Sequence, residues 1–464
     1  MSNLKEFKIS KLPAPPSFLK LLGPSFIILG LGLGSGEIIL WPYLVSNYGL
    51  GIIWGAILGI TFQFFINMEI ERYALIRGES IFVGFTRLSS LLPYWFIVST
   101  FVGFGWPGIV ASSAKIIASM LGVANFQIIA IILLVLIGCV LTLGPVLYKT
   151  VERFQKTIIL IGVPSIFIIA ILLASKQNYI DLLKGTVGIG NGYVLFPQGL
   201  SMLTFLAAFA FSGAGGNLNL SQSFYVKEKG YGMGKYTHKI KSLFTSTSQE
   251  IDLEGTTFEE NDENITNFNK WWKLINIEHF IIFLLTGTLT ILLLALLAYS
   301  TTYSNPGNEA GINFIINEAQ VIGENLFPAM TVVFLGLTGL MLFATQFAVL
   351  DSTSRIISEN VILARPTKSG AGNIPKAYYF TLWAQVIFGI SIFIIGFSDP
   401  RVLLTLSAVI NAVAMFIHIG LTFLLNTKTL PTTLKPSLVR QAIIGIIFIF
   451  FGTFSAYSIL GNLF

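Results

Sequence analysis

Gly32-Leu33-Gly34-Ser35-Gly36-Glu37 and Ser212-Gly213-Ala214-Gly215-Gly216-Asn217 are two glycine-rich stretches set inside otherwise apolar segments. Hydrocarbon holds no water to satisfy a bare peptide group, so a helix at membrane depth can unwind only where it is buried in protein or lines a cavity. Two such interruptions at matching places in two halves of a membrane chain point to the binding site of a transporter.

The surrounding composition agrees with membrane depth. Of 464 residues, 54% are hydrophobic and only 11% charged, against about 25% charged in soluble domains. The mean hydropathy of +0.78 and the 40 phenylalanines fit lipid-facing surface. The net charge of +6 is read as a membrane-topology bias and not as a nucleic-acid footprint. Cys139 is the single cysteine, which excludes an internal disulfide or a cysteine metal cluster. Residues 1–21 carry Lys5, Lys8, Lys11 and Lys20 without an apolar core, and read as a cytoplasmic segment, not a cleaved signal.

About 20 apolar residues span a bilayer. On that ruler the chain has eleven spans, at 22–46, 49–74, 92–121, 126–146, 154–175, 196–224, 274–300, 327–350, 377–397, 401–425 and 438–461. With the N-terminus cytoplasmic, 24 Lys and Arg fall inside, Lys176, Lys184 and Arg401 fall outside, and Lys115 is intramembrane. That bias predicts a multi-pass protein of the cell membrane with its C-terminus outside. The connection 225–273 opens with Lys227-Glu228-Lys229-Gly230 and continues through Glu250, Asp252, Glu254, Glu259, Glu260, Asp262 and Glu263. It reads as a flexible cytoplasmic loop, with a regulatory or cation-sensing role as the alternative. The outer loop 301–326, with Glu309, Glu318 and Glu324, has room for a short helix at 311–321.

Counted from the two interruptions, helices one to five (22–175) and six to ten (196–425) form two sets of five, and helix eleven (438–461) is extra. An odd number of helices per set inverts the second set relative to the first, so both broken helices meet near the midplane. The fold expected is an all-α membrane protein with a 5+5 inverted repeat and helices one and six broken. Each break frees carbonyls, which suit a cation, and N–H groups, which suit an anion. Glycines in membrane helices also serve close helix packing, so the breaks have a purely structural reading as well. Glu37 is the sharpest candidate, because an ionisable group inside a span is costly; its alternative is a first-turn cap on freed N–H groups.

The opening Leu22-Gly23-Pro24-Ser25, the first broken helix and Tyr48-Gly49-Leu50-Gly51 resemble the NRAMP metal-ion transporters. That resemblance implies the LeuT-like fold of inverted five-helix repeats. The family's Asp-Pro-Gly-Asn would fall on Gly34-Ser35-Gly36-Glu37, where only the third position matches. Its Met-Pro-His-Asn would fall on Ala214-Gly215-Gly216-Asn217, where only the Asn matches. The family's metal-binding Asp, Asn and Met positions are thus Gly34, Glu37 and Ala214 here, and the soft thioether is gone. Oxygen donors from Glu37, Asn217, Ser212 and freed carbonyls suit a hard divalent cation such as Mg²⁺ or Ca²⁺ more than iron or manganese. The proton-carrying acids of the family's third helix are also missing. In their place stands Gly103-Phe104-Gly105-Trp106-Pro107-Gly108, followed by Lys115.

The candidate substrate site is therefore Gly34, Ser35, Gly36 and Glu37 with Ser212, Gly213, Ala214, Gly215, Gly216 and Asn217. Glu37 and Asn217 are its metal ligands. Lys115 reads as a snorkelling residue or as a fixed positive charge that replaces a coupling cation. Asp351-Ser352-Thr353 reads as a sodium site or, for Asp351, as an i,i+4 ion pair with Arg355. Glu278 and His279 read as interfacial. Asn411 and His418 read as interhelical hydrogen bonders, and Glu69, Glu71 and Arg72 as a gate or a charge cluster. No His-Glu-x-x-His, Gly-x-Ser-x-Gly or Walker loop is present, and the three histidines are His238, His279 and His418. An enzyme is not expected, and nothing calls for a cofactor. A carrier of a small polar or zwitterionic solute is the leading alternative, and a channel the next.

Overall fold

The computed structural model describes residues 6–143, 147–237, 253–308, 311–365 and 374–460. His238, Lys239, Lys241, Glu250, Asp252, Glu309, Lys368 and the predicted end of the fourth span at 144–146 lie outside those residues. Ten helices among the described residues are long and apolar enough to cross a membrane. Helix one is Pro24–Tyr48, two Leu50–Arg77, three Leu92–Leu121, four Phe126–Leu143 and five Tyr148–Leu173. Helix seven is Asp262–Thr302, eight Ala329–Ala364, nine Ile374–Ile395, ten Pro400–Thr429 and eleven Leu438–Ser458. Helix six, Met202–Ala210 and Gln222–Lys229, is interrupted and supplies the eleventh segment. Helix one is buried throughout, while helices four, five, nine and eleven carry exposed Ile132, Leu160, Ile394 and Ile449 as an apolar outer belt.

The predicted inner ends bond to one another, as Lys156 Nζ does to Leu22 O (2.6 Å) and Arg77 to Thr429 O (2.6 Å). The predicted outer ends do the same, as Trp54 does to Leu195 O (3.1 Å) and Arg401 to Tyr43 (2.5 Å). The alternation of spans read from the lysines and arginines is therefore kept, with ends of like predicted side in contact.

The two expected breaks differ in kind. Helix six does part: Phe211 leaves helical geometry, Gly215 and Gly216 take φ of +71° and +52°, and a 3₁₀ turn at Gly216–Ser221 leads into the second half. Only glycine adopts consecutive left-handed angles at so little cost. Helix one does not unwind. Leu33–Leu40 runs as π-helix between α-helical Pro24–Gly32 and Trp41–Tyr48, so its backbone bonds are widened and not released.

A third irregularity was not expected. Helix three is interrupted between Phe104 and Gly108, where Pro107 lacks an N–H and its ring collides with the carbonyl four residues back, that of Gly103. Helix ten fills the gap: Ser407 Oγ (2.5 Å) and Asn411 Nδ2 (2.9 Å) donate to Gly103 O.

Polar ends extend two helices past their apolar spans. Helix seven starts at Asp262, not near 274, so 262–273 is helix and not flexible loop. Phe268, Trp271 and Ile275 recur at helical spacing and are buried, and Asn261 caps the first turn by accepting from Asn264 N (2.9 Å). Just before it Thr256–Thr257 pairs in parallel with Lys8–Ile9. Helix eight continues to Ala364 because Asp351, Arg355, Glu359 and Asn360 are buried among partners and not spread at an interface. The outer connection carries a helix at Asn313–Asn325, close to the predicted 311–321.

In that outer helix the Glu318 carboxyl is buried, and desolvation lifts its pKa well above the ordinary carboxylate value. A raised acid pKa favours the fold at low pH, and this advantage is lost as pH climbs through the folded-state value. Glu318→Gln should match the parent's melting temperature near pH 4 and exceed it increasingly as the pH rises. Melting curves of parent and variant across pH check this, and a constant difference would contradict it.

Candidate functional site

Helix one meets helix six across bare backbone. A Cβ on Gly36 would lie 1.6 Å from the carbonyl oxygen of Phe211, and one on Gly32 would lie 2.9 Å from Gly213 Cα. Gly34 instead faces helix eight, where an added Cβ would lie 2.6 Å from Thr345 Cβ. The packing reading of these glycines therefore holds on helix one, where they bring its π-helical centre against the helix-six break.

Glu37 follows directly. It is 0% exposed, and neither carboxylate oxygen has a hydrogen-bond partner. A Cβ added at Gly287 of helix seven would lie 3.6 Å from its Oε1, and the same point contacts Ile60 and Leu29. It caps nothing, so the capping alternative fails. An unpaired carboxyl in a dry apolar setting is costly, and such a group within a span marks function.

The helix-six break is spliced by a residue that the sequence reading passed over. Gln63 of helix two donates from Nε2 to Ala210 O (3.1 Å) and accepts at Oε1 from Gly215 N (3.0 Å), bridging the interruption with one amide. Gln63, Asn67 and Glu71 follow at i, i+4 and i+8 on an apolar helix, all buried; that polar stripe was the available signal. From helix ten, His418 Nε2 lies 3.0 Å from Gly216 O. Asn411 lies between this break and that of helix three, so both residues serve the interhelical bonding expected of them. Ser212 Oγ accepts from Trp41 Nε1 (3.0 Å), and Ser35 and Ala214 are buried. Asn217 donates both hydrogens of Nδ2, to Ser99 Oγ (2.8 Å) and Thr100 Oγ1 (2.9 Å) of helix three, which leaves its Oδ1 without a partner. Glu37 and Asn217 share no hydrogen bond: one faces helices two and seven, the other helix three.

Gln63→Leu should strip two buried backbone groups of their partner, at about 1–3 kcal/mol each. The expected result is a melting temperature several degrees lower, with Gln63→Glu less damaging because it keeps the acceptor for Gly215. Equal melting of all three proteins would show that the splice carries no energy.

The coupling and gating candidates are engaged elsewhere. Asp351 is held by Arg355 Nε (2.9 Å) and Tyr378 Oη (2.8 Å), Arg355 also pairs with Glu228, Ser352 Oγ is 2.5 Å from Tyr225 Oη, and Thr353 donates to Gln385 (2.7 Å). The ion-pair reading of Asp351 holds, and this buried network ties helices six, eight and nine together at their inner ends. Lys115 is half-buried, and a Cβ on Gly311 would lie 3.5 Å from its Nζ and 3.6 Å from Asp399, at the outer edge of the bundle, as snorkelling requires. Glu69 and Arg72 pair at 2.8 Å and are joined by Arg440 at 3.3 Å. Glu278 and His279 are not interfacial but fully buried. Among the described residues no cluster of three His, Cys, Asp or Glu forms a ready metal cage.

An eleven-segment membrane protein whose parted helix six packs against a π-distorted helix one, with the buried carboxyl of Glu37 next to that contact, has the LeuT-like architecture. Solved structures of transporters carry the same fold. A manganese transporter variant from Eremococcus coleocola superimposes with a TM-score of 0.69 at 14% identity, covering 98% of this chain and 89% of that one. The same transporter in complex with an aromatic bis-isothiourea substituted compound gives 0.66 at 13% identity, covering 100% and 92%. No family model and no curated protein sequence matches the chain.

Proposed function

We propose that the protein is a secondary transporter that moves a hard divalent cation, Mg²⁺ or Ca²⁺ in preference to Mn²⁺, by alternating access, and that it is not an enzyme. The observation that carries the reading is Glu37: a wholly buried carboxylate without a partner, one residue from the contact between Gly36 and the Phe211 carbonyl. A single carboxylate with neutral oxygens and retained water is how Mg²⁺ is commonly held. Asn217 adds to this, since its amide is turned so that only oxygen is unspent. Ala214 supplies no sulfur, which argues against selection of a softer metal. A zwitterionic cargo would need a free N–H end for its carboxylate, and Gly215 N is already given to Gln63. Both Glu37 and Asn217 are 0% exposed, as expected of an occluded stage of the cycle.

In this reading residues 22–175 and 196–425 are the two repeats, the N-terminus faces the cytoplasm and the C-terminus faces outside. The test is uptake into proteoliposomes of Mg²⁺, Ca²⁺, Mn²⁺ and a panel of amino acids. Saturable Mg²⁺ or Ca²⁺ uptake with counterflow supports the reading. Preferred Mn²⁺ uptake overturns the selectivity, amino-acid uptake overturns the cargo, and non-saturating current overturns the carrier.

A further inference from the structure

Four helices meet at a second buried polar cluster, deep on the inner side. Ser25 Oγ of helix one lies 2.5 Å from Glu278 Oε2 and 2.7 Å from His279 Nδ1, both of helix seven. His279 Nδ1 is also 3.5 Å from Glu71 Oε1 of helix two, and that same oxygen accepts from Gln222 Nε2 of helix six at 2.5 Å. All five residues are 0% exposed. The imidazole is stacked between Phe64 (5.6 Å) and Phe283 (4.7 Å), so its ring plane is fixed.

The cluster is linked but unfinished. Glu71 Oε2, Glu278 Oε1 and His279 Nε2 have no partners. A network kept only for architecture gains by satisfying every member, and a partly satisfied one is inferior to an apolar core. Its position is mechanical as well: the π-helical stretch Phe280–Leu285 begins at the residue after His279, and such stretches recur at functional sites. Ser25 and Gln222 belong to the inner halves of the two irregular helices.

We propose that Ser25, Glu71, Glu278 and His279 form a proton-binding latch on the cytoplasmic-closed state. While the inner halves of helices one, two, six and seven are together, His279 Nδ1–H donates to Ser25 Oγ, whose hydroxyl donates to Glu278 Oε2, and the cluster's one extra proton sits on Glu71 at its otherwise unpartnered Oε2. When these halves part, water enters and the proton leaves to the cytoplasm. With both carboxylates charged the cluster repels itself in a dry setting, so a higher pH favours the open form. The other charged and titratable groups facing the cluster are Lys156 and Glu152 with Tyr148 on helix five, and Lys229 with Tyr231 at the end of helix six. Lys156 and Lys229 both pair with Glu152 Oε1, at 2.8 and 2.7 Å, so the three together place one net positive charge beside Glu278.

The inference rests on the alternating-access reading for the direction of motion, but not on the cargo, and its test uses no transport. In a Cys139→Ser background, spin labels at Leu19→Cys and Ile277→Cys, exposed by 77% and 39%, report the separation of helix seven from the short helix Phe18–Leu21 that leads into helix one. The expected result is a widening between about pH 5 and 9, the closed-to-open ratio falling up to about tenfold per pH unit where the proton is lost. A Glu71→Gln/Glu278→Gln double variant should keep the short distance throughout. A pH-independent distance in the parent, or an unaltered response in the double variant, overturns the latch. Should the double variant fail to fold, the parent alone decides. An infrared band of a protonated carboxyl that vanishes with the midpoint of the distance change supports the latch, and a band unchanged over that range refutes it.

Discussion

Replacing Glu37 by leucine will make the empty protein more stable and, on the proposed reading of the site, end its binding of cation. The carboxyl has no hydrogen-bond partner and shares its surroundings with Leu29, Ile60 and Gly287, so an apolar side chain of similar size removes an unsatisfied buried group without opening a cavity. Such a change is worth about 1–3 kcal/mol in favour of the fold, a gain of several degrees in melting temperature. A glutamine at the same place keeps the shape and loses the charge. It should weaken cation binding by on the order of a hundredfold, about 3 kcal/mol. The parent should be stabilised by Mg²⁺ or Ca²⁺, by about 2.7 kcal/mol at a hundred times the dissociation constant, Glu37→Gln by only about 0.4 kcal/mol at the same concentration, and Glu37→Leu not at all. Thermal melts with and without cation, beside uptake, check all three statements. If Glu37→Leu melts lower than the parent, the carboxyl serves the fold; if Glu37→Gln transports like the parent, the cation is held elsewhere.

The same residue shows what was legible beforehand. A carboxylate after three alternating glycines in an apolar run is visible as an anomaly in the sequence, and the five-helix interval to the second glycine cluster implies inversion. What the chain does not display is the form each break takes. Glycine permits a π-helix, an unwound loop or a close crossing equally, and only the partner chooses: Phe211 and Gly213 press on helix one, while Gln63 donates to one backbone group that helix six leaves open and accepts from another. Pro107 was a readable signal, since a proline mid-span orphans the carbonyl four residues back; its answer, Ser407 and Asn411, is 300 residues away and was not readable. The extensions of helices seven and eight were hidden for another reason. Hydropathy ends a span at its first charged residues, whereas Asp351 and Arg355 neutralise one another inside the protein. The same rule placed Glu278 and His279 at the interface, although their partners on two other helices keep them buried.

Alanine at Gly36 will separate the two irregular helices. The added methyl would lie 1.6 Å from the Phe211 carbonyl oxygen, far inside contact distance, and the obstacle is backbone, which cannot rotate away. Either helix one retreats or the break in helix six shifts, and in both cases the backbone next to Glu37 is displaced. Overpacking of a core costs about 1–3 kcal/mol and occasionally more. Here the upper part of that range is expected, read as a fall of many degrees in melting temperature and a loss of uptake. Gly32→Ala, with 2.9 Å to Gly213, should do the same to a smaller degree. Gly445 in helix eleven is the control: nothing lies within 4 Å of an added Cβ there, and alanine in a helix interior is favoured over glycine by about 0.5–1 kcal/mol. Gly445→Ala should therefore melt slightly higher and transport normally. The order Gly36, Gly32, Gly445 follows from distance alone. If Gly36→Ala melted and transported like Gly445→Ala, the backbone crossing would not be what holds helix one against helix six.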